Sequence, residues 1–389
     1  MAGGHLIAPA FAPATGRARS GRARSVRLSA LVLALALAAP RAEAAEPPPV
    51  EPLPALAMEA GGITLSGVSS GANFAQQVHV AHSARISGVG LLAASPYHCP
   101  GSGYPFNLLR TTNTCMDAPD LVPFRGPPAV ERSIASTEEE ARRGRIDDPA
   151  NLRDDRVWLF AGRSDGQVPA SIAAVVRQYY ERFGRAANVA MVGEVDAGHA
   201  MVTQGFGNDC ATSKSPFIND CDFDAAGAML QHLYGPLKPP KGEAAGRLQR
   251  FDQTAFDPSA EENGLAAEGY LFVPKACADG EPCRLHVAFH GCQQSAERIG
   301  QEFVEGAGYN RWAAANRIAV LYPQAAPLRY RFLWVFPLPW PNPLGCWDWW
   351  GFTGADFHVK SGPQIEAVDA MITRLVQPAQ AARRNGVAK

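Results

Sequence analysis

Short apolar runs alternate along this chain with longer stretches whose apolar residues recur at helical spacing. Ile63 to Leu65, Val89 to Ala93, Val157 to Ala161, Val189 to Val192, Tyr270 to Val273, Leu285 to Phe289 and Ile318 to Tyr322 read as buried strands. Amphipathic stretches near 71 to 83, 170 to 183, 223 to 234, 300 to 316 and 362 to 376 read as helices between them. This alternation predicts an α/β architecture, a mostly parallel sheet flanked by helices on both faces. No repeat of fixed period interrupts it. The Pro-, Lys- and Gly-rich stretch 236 to 246 can continue neither element type and marks an internal joint. Residues 379 to 389 read as a C-terminal tail.

The first 44 residues stand apart. An Arg-rich stretch, Arg17 to Arg27, precedes the apolar run Leu28 to Ala39 and the small-residue site Ala42-Glu43-Ala44, which is the layout of a secretory signal peptide. The basic region lies far from Met1, which leaves a later start codon or a Tat-like leader open. The apolar run is too short to cross a bilayer of roughly 30 Å as a helix, so no stable membrane insertion is expected after cleavage. The expected location is secreted or periplasmic.

Composition narrows the partners. With 47% hydrophobic residues and a formal net charge of -1, the chain can bury a full core and offers no basic excess for nucleic acid or anionic lipid. Neutral or apolar ligands fit best. All 8 cysteines follow the predicted cleavage site, and an even count in an exported chain points to disulfides. Proximity in sequence pairs Cys99 with Cys115, Cys210 with Cys221 and Cys277 with Cys283, which leaves Cys292 for Cys346. No cysteine pair has two-residue spacing and no His-Glu-x-x-His occurs, so no metal is expected.

Gly67-Val68-Ser69-Ser70-Gly71 follows a predicted strand and opens a predicted helix, the setting that the G-x-S-x-G nucleophile elbow requires. A second match, Gly162-Arg163-Ser164-Asp165-Gly166, is followed by Pro169, which delays the helix, and leaves too little chain for an acid and a base in order. Ser69 is therefore the candidate nucleophile. Asp165 follows the strand Val157 to Ala161, at the strand end where active sites of α/β sheets collect, and is the candidate acid. Asp154 and Asp155 precede that strand and should lie at the opposite edge. His199, after the strand Val189 to Val192, is the candidate base. His79 and His82 fall inside the helix after the elbow, His286 within a strand and His358 beyond a loop.

His290-Gly291-Cys292-Gln293-Gln294 follows the strand Leu285 to Phe289 in the form of an oxyanion loop. The expected donors are the backbone amides of Ser70 and Cys292. In ordinary α/β-hydrolases that strand precedes the nucleophile, whereas here it comes after the acid and the base. This order predicts a circularly permuted α/β-hydrolase. The last helix would then lead spatially into the nucleophile strand, the two mature termini would lie close together, and residues 45 to 378 would form one catalytic domain.

Taken together, Gly-Val-Ser69-Ser-Gly, Asp165, Gly-His199-Ala-Met, His290-Gly-Cys-Gln-Gln and Asn342-Pro-x-Gly-Cys-Trp-Asp-Trp-Trp350 resemble the permuted catalytic domain of fungal-type and related bacterial poly(3-hydroxybutyrate) depolymerases. The resemblance spans nearly all of residues 60 to 376. It implies Ser69, Asp165 and His199 as the triad, Ser70 and Cys292 as oxyanion donors, no cofactor, and a polyester polymer or hydroxyalkanoate oligomer as substrate. It also implies substrate contact by tryptophan of the Gly-Cys-Trp-Asp-Trp-Trp segment, so Trp347 and Trp349 are the candidate substrate-binding residues.

Five of the 7 tryptophans lie between Trp334 and Trp350, in a stretch too rich in proline for a helix or an interior strand. An apolar wall beside Ser69 is one reading of this stretch; a loop folded into the core and an interfacial membrane contact are the others. The segment Tyr330 to Pro341 is longer and more apolar than the family pattern. The chain ends soon after the last predicted helix, which sets oligomers and amorphous polymer beside crystalline polymer as substrates. A feruloyl or acetylxylan type of esterase, and a non-catalytic polymer-binding protein, remain the alternatives.

Overall fold

The computed structural model describes residues 50–59, 61–117, 126–328 and 341–378. The expected signal peptide at 1 to 44, the tail at 379 to 389 and most of the apolar segment 330 to 341 lie outside the described residues.

Among the described residues, nine strands form one sheet in the order Val50–Glu51, Gly246–Asp252, Glu268–Pro274, Ile318–Tyr322, Arg284–Phe289, Ile63–Val68, Ile86–Leu92, Arg156–Phe160 and Val189–Val192. From Ile318–Tyr322 to Val189–Val192 every neighbouring pair is parallel. Glu268–Pro274 runs antiparallel to both of its neighbours. All seven expected strands are present, within a mostly parallel sheet covered by helices.

Alternation along each strand feeds two apolar layers. Leu285, Val287 and Phe289 join one cluster with Phe74, Val78, Tyr179 and the last helix, while Ala288 joins the other with Met229, Leu230 and Trp312. Ala319 and Leu321 likewise face the first layer, and Ile318, Val320 and Tyr322 the second. Because both faces are covered, these strands read as continuous apolar runs rather than half-polar ones.

The helix Ser70–Ala81 is buried at every residue. Ala225–Tyr234 starts where the Asp224 side chain accepts a hydrogen bond from the Gly227 amide, at 2.8 Å. The helix expected over 300 to 316 is instead two helices, Glu302–Gly306 and Tyr309–Asn316. Gly308 takes a left-handed φ of 92°, which ends the first helix and admits the second. Several elements have no counterpart in the pattern of apolar runs, among them the short helix Leu108–Asn113, a small sheet of Met201–Thr203, Ile218–Asp220 and Asn208–Asp209, the helix Val130–Arg142 and the strand Gly246–Asp252; the last two are the longest. Both are largely polar and half-exposed, so neither carries an apolar run.

Residues 236–245 contain neither helix nor strand. At the chain's other joint, the Leu56 and Met58 amides donate to the Leu375 carbonyl at 3.1 and 3.3 Å, and the Arg374 side chain donates to the Leu53 carbonyl at 3.0 Å. The end of the helix Pro363–Val376 therefore lies against the segment that leads into the nucleophile strand. The strand Arg284–Phe289, expected to lead into the oxyanion loop, pairs in parallel with Ile63–Val68, Phe289 opposite Gly67. This is the permuted arrangement.

Candidate active site

Ser69 joins the strand Ile63–Val68 to the helix Ser70–Ala81 with φ 56° and ψ -122°. A residue with a Cβ rarely occupies that region, and its presence is held by surrounding contacts. The Ser69 amide donates to the Leu92 carbonyl at 2.9 Å, and Asn73 Nδ2 donates to the Ser69 carbonyl at 3.3 Å. A Cβ on Gly67 would come within 2.3 Å of the Gly71 backbone, so the turn closes only with glycine there.

Three side chains predicted from different parts of the chain meet in one hydrogen-bonded line. His199 Nε2 is 2.8 Å from Ser69 Oγ, and His199 Nδ1 is 2.8 Å from Asp165 Oδ2. An ionised Asp165 only accepts, so Nδ1 carries the proton and Nε2 accepts from the Ser69 hydroxyl. The other oxygen, Asp165 Oδ1, accepts from the Gln167 and Val168 amides at 2.8 and 2.9 Å, which fixes the carboxylate plane. The His199 amide donates to Ser213 Oγ at 2.8 Å. Tight backbone contacts set both loops: a Cβ on Gly162 would be 2.2 Å from the Ala197 carbonyl oxygen, and one on Gly198 would be 2.3 Å from that of Thr212. Asp154 and Asp155 precede the strand Arg156–Phe160, at its far end from Asp165, and Asp155 pairs instead with His79 at 3.0 Å.

Beside Ser69 are the two backbone amides expected as oxyanion donors, and neither donates to an acceptor among the described residues. The Ser70 amide is the first of the helix Ser70–Ala81, whose first-turn donors have no partner within the helix. The Cys292 amide has no acceptor among the described residues. Around it the loop is tightly tied. The Gly291 amide donates to Gln294 Oε1 at 2.7 Å, and Gln294 Nε2 donates to the carbonyls of Pro216 and Phe217 at 3.1 and 2.9 Å. His290 Nδ1 donates to the Gly291 carbonyl at 2.7 Å, while Nε2 accepts from the Ala325 amide at 3.0 Å. Burial pushes the His290 pKa down to about 4.

The four disulfides pair as expected, Cys99 with Cys115, Cys210 with Cys221, Cys277 with Cys283 and Cys292 with Cys346. The last of these fastens the oxyanion loop to the tryptophan segment. That segment is organised by Asp348, a buried carboxylate that accepts from the amides of Trp350, Gly351, Phe352 and Thr353 and from the Thr353 hydroxyl. Burial raises its pKa, against the hydrogen bonds that lower it. Gln294 and Asp348 stand within the His-Gly-Cys-Gln-Gln and Gly-Cys-Trp-Asp-Trp-Trp motifs, but the motifs do not show that each side chain holds backbone amides a few residues away in its own loop.

A cleft of about 430 Å³ opens over Ser69 and His199. Its walls include Leu108, Thr111, Met116, Leu344, Trp349 and Trp350, and Leu108 and Met116 pack against the Trp349 and Trp350 cluster. The expectation for Trp347 is corrected here. Its ring is fully buried, stacked on Phe74 at 4.6 Å and edge-on to Phe289 at 5.1 Å, so it is a core residue beneath the site. The alternation of the Trp-Asp-Trp sequence sends Trp347 inward and leaves Trp349 at the cleft. Among the described residues no group of three His, Cys, Asp or Glu side chains could hold a metal ion. No described helix is long and apolar enough to cross a membrane.

No family model matches the chain. Known relatives do. A poly(3-hydroxybutyrate) depolymerase of Delftia acidovorans is 38% identical over 326 residues, which is 82% of this chain but 61% of the relative, so this chain spans less than two thirds of that protein. A polyhydroxybutyrate depolymerase of Talaromyces funiculosus is 34% identical over 321 residues, covering 81% of this chain and 89% of the relative. The crystal structure of a PHB depolymerase from Penicillium funiculosum superposes with a TM-score of 0.74 at 33% identity, covering 85% of this chain and 100% of that one. A serine-to-alanine variant of a PHB depolymerase, in complex with an R3HB trimer, gives the same TM-score at 32% identity. With sequence and fold agreeing over most of both chains, this chain belongs to the poly(3-hydroxybutyrate) depolymerase family of ester hydrolases.

Proposed function

We propose that this chain is a serine esterase that hydrolyses poly(3-hydroxybutyrate) or its oligomers through an acyl-enzyme. The observation that carries the reading is the line Ser69 Oγ, His199 Nε2, His199 Nδ1, Asp165 Oδ2, with both contacts at 2.8 Å, at the floor of an apolar cleft. Ser69 attacks the ester carbonyl as its proton passes to His199 Nε2. The carbonyl oxygen becomes an oxyanion and accepts from the Ser70 and Cys292 amides, which have no other acceptor among the described residues. On collapse the alcohol leaves with the proton from His199. Water, giving a proton to the same nitrogen, then attacks the acyl-enzyme and releases the acid, while the proton returns to Ser69. Asp165 holds the imidazole tautomer and stabilises the imidazolium throughout.

The alternating esters and methyl groups of a polyhydroxybutyrate chain suit a wall of Leu108, Leu344, Trp349 and Trp350 with few charges. The same reading takes residues 45 to 378 as one catalytic domain with its joint at 236 to 246. It takes residues 1 to 44 as a leader that exports the chain to the periplasm or the medium, where four disulfides persist.

The test is release of soluble 3-hydroxybutyrate from the trimer and from amorphous polymer, with the mature protein beside Ser69→Ala. Activity on both that disappears in the variant is the expected result. Activity on trimer alone narrows the substrate to oligomers, faster cleavage of methyl ferulate moves it to carbohydrate-side esters, and activity that survives in Ser69→Ala removes Ser69 as nucleophile.

A further inference from the structure

The Gly291 carbonyl and the Cys292 amide belong to one peptide unit. In a planar trans peptide the C=O and the N–H point in opposite directions, so whatever fixes the Gly291 oxygen also fixes where the Cys292 N–H aims. That oxygen accepts from His290 Nδ1 at 2.7 Å. The imidazole has no choice of tautomer, because its Nε2 is already an acceptor for the Ala325 amide at 3.0 Å and the proton must sit on Nδ1. Nor can the ring shift: it is fully buried against Phe303 and Trp347. Burial keeps it neutral, with its pKa pushed down to about 4. On the other side of Gly291, Gln294 Oε1 holds the amide at 2.7 Å, so a flip of the next peptide cannot be absorbed by rotating the residue as a whole.

We propose that His290 is a positioning residue for the reaction: by holding the Gly291 carbonyl on the buried side, it aims the Cys292 amide at the point where the oxyanion forms. The proposal rests on the esterase reading above and adds the residue that sets the direction of one of its two donors. His290 does not line the cleft and touches no substrate; it acts through the peptide it grips. A flip of that peptide would replace an oxyanion donor with a carbonyl oxygen, and would leave a buried Nδ1–H without an acceptor, which the interior penalises. The preceding glycine follows from the same packing, since a Cβ at Gly291 would meet Gln294 Oε1 at 2.7 Å and Ser69 Cβ at 3.4 Å.

Two substitutions separate this role from simple anchoring. In His290→Asn the side-chain amide nitrogen can take the place of Nδ1 and still donate to the Gly291 carbonyl, but nothing reaches Ala325. In His290→Gln the longer side chain can accept from Ala325 but has no donor at the Nδ1 position. Turnover of p-nitrophenyl butyrate is measured for both, with burst amplitudes to count functional sites. The expected result is kcat within a few-fold of wild type for His290→Asn. For His290→Gln the expected kcat is about tenfold to a hundredfold lower at nearly unchanged KM, short of the full loss of a donor. A His290→Gln variant with wild-type kcat, or a His290→Asn variant that falls equally far, overturns the proposal. Independently of how the variants fold, 15N NMR of histidine-labelled wild-type protein should show residue 290 as a neutral Nδ1–H tautomer, and an Nε2–H tautomer there also overturns it. A wild type without turnover, or turnover that survives Ser69→Ala, would instead strike the esterase reading and leave the NMR result to decide the tautomer lock.

Discussion

Gly71 lies so close to His290 that a Cβ at position 71 would stand 2.3 Å from the His290 carbonyl oxygen and 2.5 Å from that of Phe289. The second glycine of the elbow therefore serves two elements: it lets the helix after Ser69 start at once, and it lets that helix settle on the strand that carries the oxyanion loop. The expected outcome for Gly71→Ala is a helix wedged away from that strand, with a stability loss of about 1–3 kcal/mol as for an overpacked core. Thermal melting together with kcat on a soluble ester checks it; a variant with wild-type melting and kcat would show that the helix can move without effect.

Asp165→Asn should separate geometry from electrostatics. The amide oxygen can still accept from Gln167 and Val168, but an NH2 group would face His199 Nδ1 and force the wrong imidazole tautomer. A kcat lower by about 10⁴ with nearly unchanged melting is expected. Steady-state kinetics beside circular dichroism decides it, and a loss of less than tenfold would remove Asp165 from the line.

The two tryptophans of the Trp-Asp-Trp sequence should fail in different ways. Trp347→Ala empties a site packed against Phe74 and Phe289 and should cost about 3–5 kcal/mol of stability. Trp349→Ala, at a residue that is buried yet lines the cleft, should lower stability and also raise KM by about fivefold, the worth of roughly 1 kcal/mol of aromatic contact, a KM change that Trp347→Ala does not share. Exchanged phenotypes would return Trp347 to the cleft.

Replacing Asp348 by alanine would strip the acceptor from four backbone amides and a hydroxyl at once. Each buried donor left unpaired is costly, so a loss of about 3 kcal/mol or more and a raised KM are expected together. Differential scanning calorimetry and substrate titration read the two effects; if only stability moves, the segment does not shape the cleft.

Acid should unfold the protein through its histidines. Burial lowers the pKa of His286, His98 and His358 to about 3 and that of His290 to about 4. Their unfolded values lie near 6.5, so below that pH the unfolded chain binds protons that the native state does not, and stability falls as pH falls. Each contributes up to about 1.4 kcal/mol per pH unit, between roughly 6.5 and its native pKa. His98 and His358 stack at 3.6 Å between ring centroids, so charging both would also set two cations face to face. Urea unfolding at a series of pH values from 7 to 4 checks this; a flat midpoint over that range would contradict it.

Much of this molecule was legible in the chain. Each of the seven runs became a strand because a strand covered on both faces is mostly apolar, its few polar residues such as Thr64 and His286 pairing with each other, and that requirement is local enough to read. Ser69 was marked by flanking glycines whose absent side chains the turn demands, and Asp165 and His199 by their places just after strands. The cysteine pairing followed from spacing, since short loops bring three of the four pairs together. What the sequence could not supply were elements defined by their neighbours. Val130–Arg142 and Gly246–Asp252 are polar on one side and find their partners only in the folded chain. The break at Gly308 depends on a backbone angle, and the inward turn of Trp347 on which side of its loop faces Phe74. The roles of Gln294, Asp348 and His290 were hidden for one physical reason: each is a side chain holding a backbone amide or carbonyl, and residue identity does not record where the backbone's own donors and acceptors point. Only tertiary structure, which sets those directions, decided which way the Gly291–Cys292 peptide faces.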